Sequence, residues 1–188
     1  NDLGSVENLE YLLKYDTAYG RFDGKLPATV LQEKDPGVLP WGKLGVDVVV
    51  EATGVFNSYE KARPHLDAGA KRVVITAPSK DEDGEAGKTI LMGVNEEHME
   101  TCAISSNGSC TTNSVAPVIQ ILDEGIGVEK ALLNTTHGYT ATQSLADGPT
   151  RSKDVRRGRA AAQNIIPSTT GAAIAVARAV KSMEGKFD

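Results

Sequence analysis

Two cysteines in 188 residues are too few for a disulfide scaffold, and the sequence reads as that of a reduced, intracellular protein. Long apolar runs are missing as well. Glycine, charged and polar residues interrupt every candidate, so no segment is expected to span a bilayer and no membrane partner is expected. Neither sign of charge dominates: 20 basic and 25 acidic side chains give a net charge of -5, and no nucleic-acid partner is expected. Internal repeats, low-complexity tracts and flexible linkers are absent, so a second domain would pack directly on the first. The sequence begins at Asn1 rather than Met and ends at Lys186-Phe187-Asp188, which leaves organellar targeting open beside a cytoplasmic location. What is present is an ordinary globular composition, 40% hydrophobic, with room for one or two domains.

Strand-like and helix-like segments alternate, which favours an α/β fold. Residues 46–51 are dense in valine and run into Ala52-Thr53-Gly54, which predicts a strand buried on both faces. Asn57 and Glu60 predict a capping box, with Tyr59, Ala62 and Leu66 at helical spacing before Gly69 and Pro64 shortening or kinking the helix. Residues 72–76 return to strand, 79–87 form an acidic loop, and further strands are predicted at 89–94 and 102–105. A helix is predicted to begin close to Cys110, with Val115, Val118, Ile119 and Leu122 as its apolar face, a bend at Pro117, and Gly125 and Gly127 at its end. Residues 131–136 read as a strand, 140–163 as a long polar loop carrying Arg156-Arg157-Gly158-Arg159, and 170–182 as a helix.

The segment Ser105-Ser106-Asn107-Gly108-Ser109-Cys110-Thr111-Thr112-Asn113 places a thiol at a strand-to-helix turn. Free N–H groups and the positive end of the helix dipole favour a thiolate there, and the hydroxyls of Ser109 and Thr111 add donors for an anion such as phosphate. Two readings of Cys110 stand on the residues alone, a nucleophile or a small buried hydrophobe. Cys102 lies in an apolar strand pattern and has only the structural reading. Of the three histidines, His65 and His98 sit in charged, helix-like stretches and read as surface residues. His137 ends an apolar strand and opens a Gly-Tyr-Thr turn, a position from which a side chain enters a cleft. Spacing alone leaves a pairing of Cys110 with His137 open.

Four motifs in order carry a resemblance. Ser106-Asn107-Gly108-Ser109-Cys110-Thr111-Thr112-Asn113, Thr136-His137-Gly138-Tyr139-Thr140-Ala141-Thr142-Gln143, Arg156-Arg157-Gly158-Arg159-Ala160-Ala161 and Asn164-Ile165-Ile166-Pro167-Ser168-Thr169-Thr170-Gly171-Ala172-Ala173 resemble the phosphorylating glyceraldehyde-3-phosphate dehydrogenases. Leu12-Leu13-Lys14-Tyr15-Asp16, Gly20-Arg21-Phe22-Asp23 and the valine run through Gly54 extend the likeness over nearly the whole chain. The resemblance implies an α/β Rossmann-type NAD-binding domain over residues 1–109, whose first strand-turn-helix would precede Asn1. It further implies the start of an α+β catalytic domain over 110–188, whose sheet would largely follow Asp188. The implied activity is NAD-dependent oxidation and phosphorylation of glyceraldehyde 3-phosphate to 1,3-bisphosphoglycerate in glycolysis, through a cysteine thioester. Glyceraldehyde 3-phosphate and inorganic phosphate are the implied partners, and a homotetramer the implied assembly.

By the same resemblance Cys110 is the nucleophile and His137 the general base. Thr140 would hold the substrate phosphate, while Ser109, Thr111, Thr170, Gly171 and Arg157 would surround the attacking phosphate with donors suited to oxyanions. Read without the family, Arg157 belongs to a solvated basic face and Thr170 is a helix N-cap. Asp2 would bind the adenosine ribose and repel a 2′-phosphate, which favours NAD over NADP, with Lys34 and Thr76 as further cofactor contacts. Read alone, Asp2 and Lys34 are ordinary surface charges, and no metal site is expected. Ser114 and Ile174 depart from the family's usual cysteine and lysine, and the 24–35 stretch is shorter than in the family. Alternatives are a paralogue using erythrose 4-phosphate or NADP, and a catalytically idle redox-sensing or binding protein. His137, Thr140 and Arg157 beside Cys110 argue against the idle form. As an internal piece the chain is expected to lack activity by itself, with the face of Ala172, Ala173, Val176 and Val180 deprived of the strands it packs on.

Overall fold

Helix and strand alternate along the chain in the computed structural model, which describes residues 1–26, 28–150 and 152–188. The first half contains α1 (Val6–Lys14), the short strands β1 (Tyr15–Asp16) and β2 (Gly20–Arg21), α2 (Trp41–Leu44), β3 (Val48–Glu51), α3 (Tyr59–Ala62), α4 (Pro64–Asp67) and β4 (Arg72–Ile75). Then come β5 (Lys88–Thr89), β6 (Ile104–Ser106), α5 (Cys110–Ile126) and α6 (Ala172–Ala179). Pro27, inside the 24–35 stretch, and Arg151, inside the 140–163 loop, lie outside the described residues. No helix among the described residues is long and apolar enough to cross a membrane.

Four strands form a parallel sheet in the order β3-β4-β6-β5, which is the α/β arrangement the alternation predicts. Val49 lies opposite Val73, and Ile75 lies opposite both Glu51 and Ser106. Because the strands are parallel, their carboxyl ends share one edge, and that edge is laced sideways. The main-chain oxygen of Glu51 accepts the Thr76 N–H and hydroxyl, at 3.0 and 3.2 Å. The Ile75 oxygen accepts the Asn107 N–H at 2.9 Å, and Ser106 Oγ donates to the Ala77 oxygen at 2.7 Å.

Period-two alternation decides which strand residues enter the core. Val49, Val73, Ile75 and Ile104 point into a cluster completed by Leu39, Trp41, Tyr59, Ala62 and Ala70. Val48 and Val50 on the other face of β3 are 49% and 62% exposed, so this strand is buried on one face rather than the two expected from its valine content. Gly69 lets α2 approach the end of α4: its φ is +104°, and a Cβ there would lie 2.5 Å from the Gly42 Cα.

A second cluster joins the two long elements of the second half. Ala116 and Ile119 of α5 meet Val176, Ala179, Val180 and Met183, with Leu91 from the segment after β5. The face of α6 expected to lack a cover is therefore buried, with Ala172 and Val176 at 1% and 0% exposure, and α5 supplies part of the cover. The buried residues of α5 are Thr112, Ala116 and Ile119, whereas Val118 and Leu122 are exposed; the packed stripe is rotated from the one the valines and leucine suggest. Arg178 of α6 reaches back to the oxygens of Ser79 and Asp81, at 3.2 and 3.1 Å.

Other local expectations shift. Ser58, not Asn57, caps α3 by accepting the Lys61 N–H, and Pro64 divides the expected helix into α3 and α4. The strand expected over 89–94 stops at Thr89 because Asn95 takes the Leu91 N–H and closes a turn. Residues 131–136 form no strand: Ala131 alone bridges to Phe187. The 140–163 segment contains 3-10 turns at Val155–Gly158 and Ala161–Gln163.

Truncating Met183, which is fully buried, to alanine should cost about 2–5 kcal/mol, whereas Ile174→Ala on the exposed side of α6 should cost about 0.5 kcal/mol or less. Urea unfolding of the whole protein distinguishes the two, and equal losses would contradict the packing of the 176–183 segment on α5.

Candidate active site at the carboxyl edge of the sheet

The turn Asn107-Gly108-Ser109 carries the chain from β6 into α5. Gly108 adopts φ +66°, a left-handed conformation that costs glycine little, and a Cβ there would press on Thr112 at 3.0 Å. Ser109 is the N-cap: its Oγ accepts the Thr112 N–H at 3.0 Å. Asn113 braces the turn from inside the helix by donating through Nδ2 to the oxygens of Asn107 and Ser109, at 2.7 and 2.9 Å. Cys110 is consequently the first residue of α5, where unpaired N–H groups and the helix dipole favour an anion.

Cys110 is exposed, which removes the reading as a buried hydrophobe. Its Sγ lies 3.1 Å from His137 Nε2. His137 Nδ1 lies 2.6 Å from the Gly138 oxygen, an acceptor only, so Nδ1 carries a proton and Nε2 faces the sulfur. The two groups shift one another in opposite directions. The hydrogen bond from His137 holds the Cys110 thiol below its ordinary value against the opposing effect of burial, and the Thr111 N–H adds to the lowering. The Gly138 oxygen first, then the thiolate, raise His137 above the ordinary imidazole range. This pair can hold a thiolate beside an imidazolium and exchange a proton between sulfur and Nε2. Cys102 is half-buried, and burial pushes its thiol up.

A second set of polar groups begins three residues after His137. Thr140 and Thr142 point their hydroxyls at one another at 3.0 Å, and Arg157 Nη1 donates to Thr142 Oγ1 at 2.8 Å. Arg157 Nη2 donates to Ser168, two residues before Thr170. Thr170 is exposed and its Oγ1 accepts the Ala172 N–H at 3.1 Å, while Gly171 occupies the N-cap of α6. Thr140 and Arg157 thus share one network, and Ser109 and Thr111 flank Cys110. Thr142 and Ser168 were not singled out from the sequence, although the i, i+2 relation of Thr142 to Thr140 would place both hydroxyls on one side of an extended chain.

Three candidate cofactor residues fall into two places. Asn1 and Glu33 exchange hydrogen bonds, and the Asp2 N–H donates to the Leu31 oxygen, so Asp2 runs beside the segment leading to Lys34. Thr76 stands apart from them at the end of β4, bonded to Glu51. His65, expected on the surface, is buried between Trp41 and Glu51, whereas His98 is exposed as expected.

Residues 109–188 match the family model for the glyceraldehyde 3-phosphate dehydrogenase C-terminal domain, and residues 1–59 match that for its NAD binding domain. Glyceraldehyde-3-phosphate dehydrogenase 1 of Kluyveromyces lactis is 47% identical over 195 residues, covering 97% of this chain and 57% of the relative. The glyceraldehyde-3-phosphate dehydrogenase of Streptomyces coelicolor is 46% identical over 202 residues, covering 100% and 58%. This chain belongs to the glyceraldehyde-3-phosphate dehydrogenase family. Glyceraldehyde-3-phosphate dehydrogenase 2 of Bacillus subtilis is 46% identical over 197 residues, with 97% of this chain and 56% of the relative covered. The chain therefore spans somewhat over half the length of these dehydrogenases. Cys110 and His137 both lie within the part that matches the dehydrogenase C-terminal domain.

Alkylation by iodoacetamide reads the pair directly. In the whole protein Cys110 should react far faster than Cys102, with a rate that rises through an inflection below the ordinary thiol range, because a lowered value leaves thiolate present at lower pH. His137→Gln removes the imidazole that does most to lower the Cys110 thiol and should move the inflection upward. Equal rates for the two cysteines would contradict an activated Cys110.

Proposed function

We propose that the whole protein oxidises glyceraldehyde 3-phosphate with NAD and inorganic phosphate to give 1,3-bisphosphoglycerate. The observation that carries this reading is the 3.1 Å contact between Cys110 Sγ and His137 Nε2 at the N-terminus of α5. The Cys110 thiolate attacks the aldehyde carbon, a C–S bond forms, and His137 gives its Nε2 proton to the carbonyl oxygen. His137 takes that proton back as the hemithioacetal is oxidised. Bound NAD supplies the acceptor for the hydride. The thioester left on Cys110 is then attacked by phosphate, which forms the acyl phosphate and returns Cys110 as thiolate.

The residues present fit such a cofactor. The parallel sheet offers its carboxyl edge, outside which ligands of α/β sheets bind. Asp2 is exposed and its Oδ1 is engaged by the Gly4 N–H, which leaves acceptor capacity for ribose hydroxyls. Gly54, in the turn after β3, has φ +71° and open space where a side chain would stand. Asp2, Lys34 and Thr76 would hold the cofactor, and the carboxylate of Asp2 would disfavour a 2′-phosphate. Thr140 would take the substrate phosphate, and Ser109, Thr111, Thr170, Gly171 and Arg157 the attacking one. The Thr140–Thr142–Arg157 network supports this, since hydroxyls and a guanidinium together suit phosphate oxygens.

Residues 1–109 would serve the cofactor and 110–188 the chemistry, a division supported by the C-terminal domain match that starts at residue 109. Homotetrameric assembly, a cytoplasmic location and a place in glycolysis belong to the same proposal and rest on the family. The test is aldehyde oxidation by the whole protein with and without phosphate. Sustained turnover should require phosphate, and His137→Asn should slow acylation on the order of a hundredfold or more. Sustained oxidation without phosphate, or acylation indifferent to His137, would overturn the reading.

A further inference from the structure

The turn that delivers Cys110 contains Asn107-Gly108, the dipeptide most prone to spontaneous deamidation, because glycine has no side chain to shield its nitrogen from the carboxamide before it. Asn107 is exposed, and among the described residues its hydrogen bonds are made by the main chain, not by the carboxamide. Asn113 provides the contrast. It too is exposed and precedes a small residue, Ser114, but its Nδ2 donates to the oxygens of Asn107 and Ser109, and it lies within α5, where main-chain N–H groups are bonded back four residues. The attacking nitrogen at 108 is guarded. The Gly108 N–H donates to Ser106 Oγ at 3.2 Å, and Ser106, fully buried, is fixed in turn by its bond to the Ala77 oxygen at 2.7 Å. The Asn107 main chain is held on both sides, its N–H by the Ile75 oxygen at 2.9 Å and its oxygen by Asn113 Nδ2 at 2.7 Å. Ring closure onto the carboxamide requires the Gly108 N–H to leave Ser106 and the peptide to turn.

We propose that Asn107 is a self-modification site whose conversion silences Cys110, and that Ser106 and Asn113 set its rate. The Gly108 nitrogen gives its proton to hydroxide and forms a bond to Asn107 Cγ, and the carboxamide nitrogen leaves as ammonia. Water then opens the succinimide at one carbonyl or the other, which leaves isoaspartate or aspartate at 107. Either product puts a carboxylate three residues before the thiol, where a like charge disfavours the thiolate. Isoaspartate also lengthens the main chain by one methylene between β6 and the N-cap Ser109, so the bonds that now clamp the turn lose their register. The consequence falls on the thiol itself and holds whatever substrate or cofactor the whole protein uses.

Peptide mapping of the whole protein during storage at mildly alkaline pH, with iodoacetamide labelling of Cys110 on the same samples, tests this. Aspartate and isoaspartate should accumulate at 107 ahead of 113, and the converted fraction should label severalfold more slowly. Ser106→Ala removes the acceptor of the Gly108 N–H and should speed conversion. Asn113→Ala frees the Asn107 oxygen by an independent route and should do the same, which keeps the test open if the buried Ser106 position does not tolerate alanine. Asn107→Gln disfavours the five-membered ring and should keep its labelling rate through the same storage, which separates deamidation from oxidation of the thiol. Conversion at Asn107 no faster than at Asn113 in the unsubstituted protein would overturn the proposal. So would conversion unchanged in the folded guard variants, or undiminished labelling of Cys110 in the converted fraction.

Discussion

The hydrogen bond from the Thr112 N–H to Ser109 Oγ fixes where α5 begins, and the candidate site depends on that boundary. With Ser109 as N-cap, Cys110 occupies the first turn, where main-chain N–H groups have no intrahelical acceptor. One residue earlier the thiol would belong to the turn. A full turn later it would have lost the field of the helix end, which acts over the first turn only. Gly108 and Asn113 secure the same boundary from either side, the first by its left-handed backbone and the second by two bonds to turn oxygens. His137 completes the pair from a segment with no ladder of its own, oriented by the oxygen of Gly138.

The remaining architecture brings strand ends to that place. Parallel pairing puts the ends of β3, β4 and β6 side by side, and bonds from Thr76 and Asn107 stitch them beyond the last ladder pairs. Arg178 links α6 to the 79–81 loop, so the half containing the thiol and the half containing the sheet are tied by polar contacts as well as by the chain. The Glu51–His65–Trp41 chain lies beneath the same edge, which connects core packing to the surface a ligand would meet.

What was legible in the sequence was local. The strand-to-helix turn before Cys110 predicts a helix start there, and Pro64 predicts a break or kink, because each acts through its own backbone, whereas the Ser109 cap emerged only from the structure. Features that need partners distant in sequence were read less well. His65 stands among charged neighbours that suggest a surface, yet it is buried by residues 14 and 24 positions away that satisfy both ring nitrogens. Residues 131–136 have the composition of a strand, but a strand needs a ladder, and here the pairing amounts to one bridge at Ala131 and a bond from the Leu133 N–H to the Asp188 oxygen. On α5 the valine and leucine spacing points to one stripe, while the contact with α6 selects Ala116 and Ile119, small and branched side chains that allow close approach. Among the residues proposed to hold phosphate, Ser109 and Thr111 were legible from the helix start, whereas Thr140, Arg157, Thr170 and Gly171 owed their assignment to family resemblance, since a hydroxyl in a polar loop carries no signal of its own.

Everything proposed for the chemistry depends on Cys110 and His137 sharing a proton, and nuclear magnetic resonance of the His137 ring nitrogens reads that directly. The titration should be followed in the whole protein and in its Cys110→Ala variant. His137 should titrate above the ordinary imidazole range when the thiolate is present and lower when it is removed, because Cys110 is one of the two groups that raise it. An identical His137 titration in the two proteins would contradict the pair.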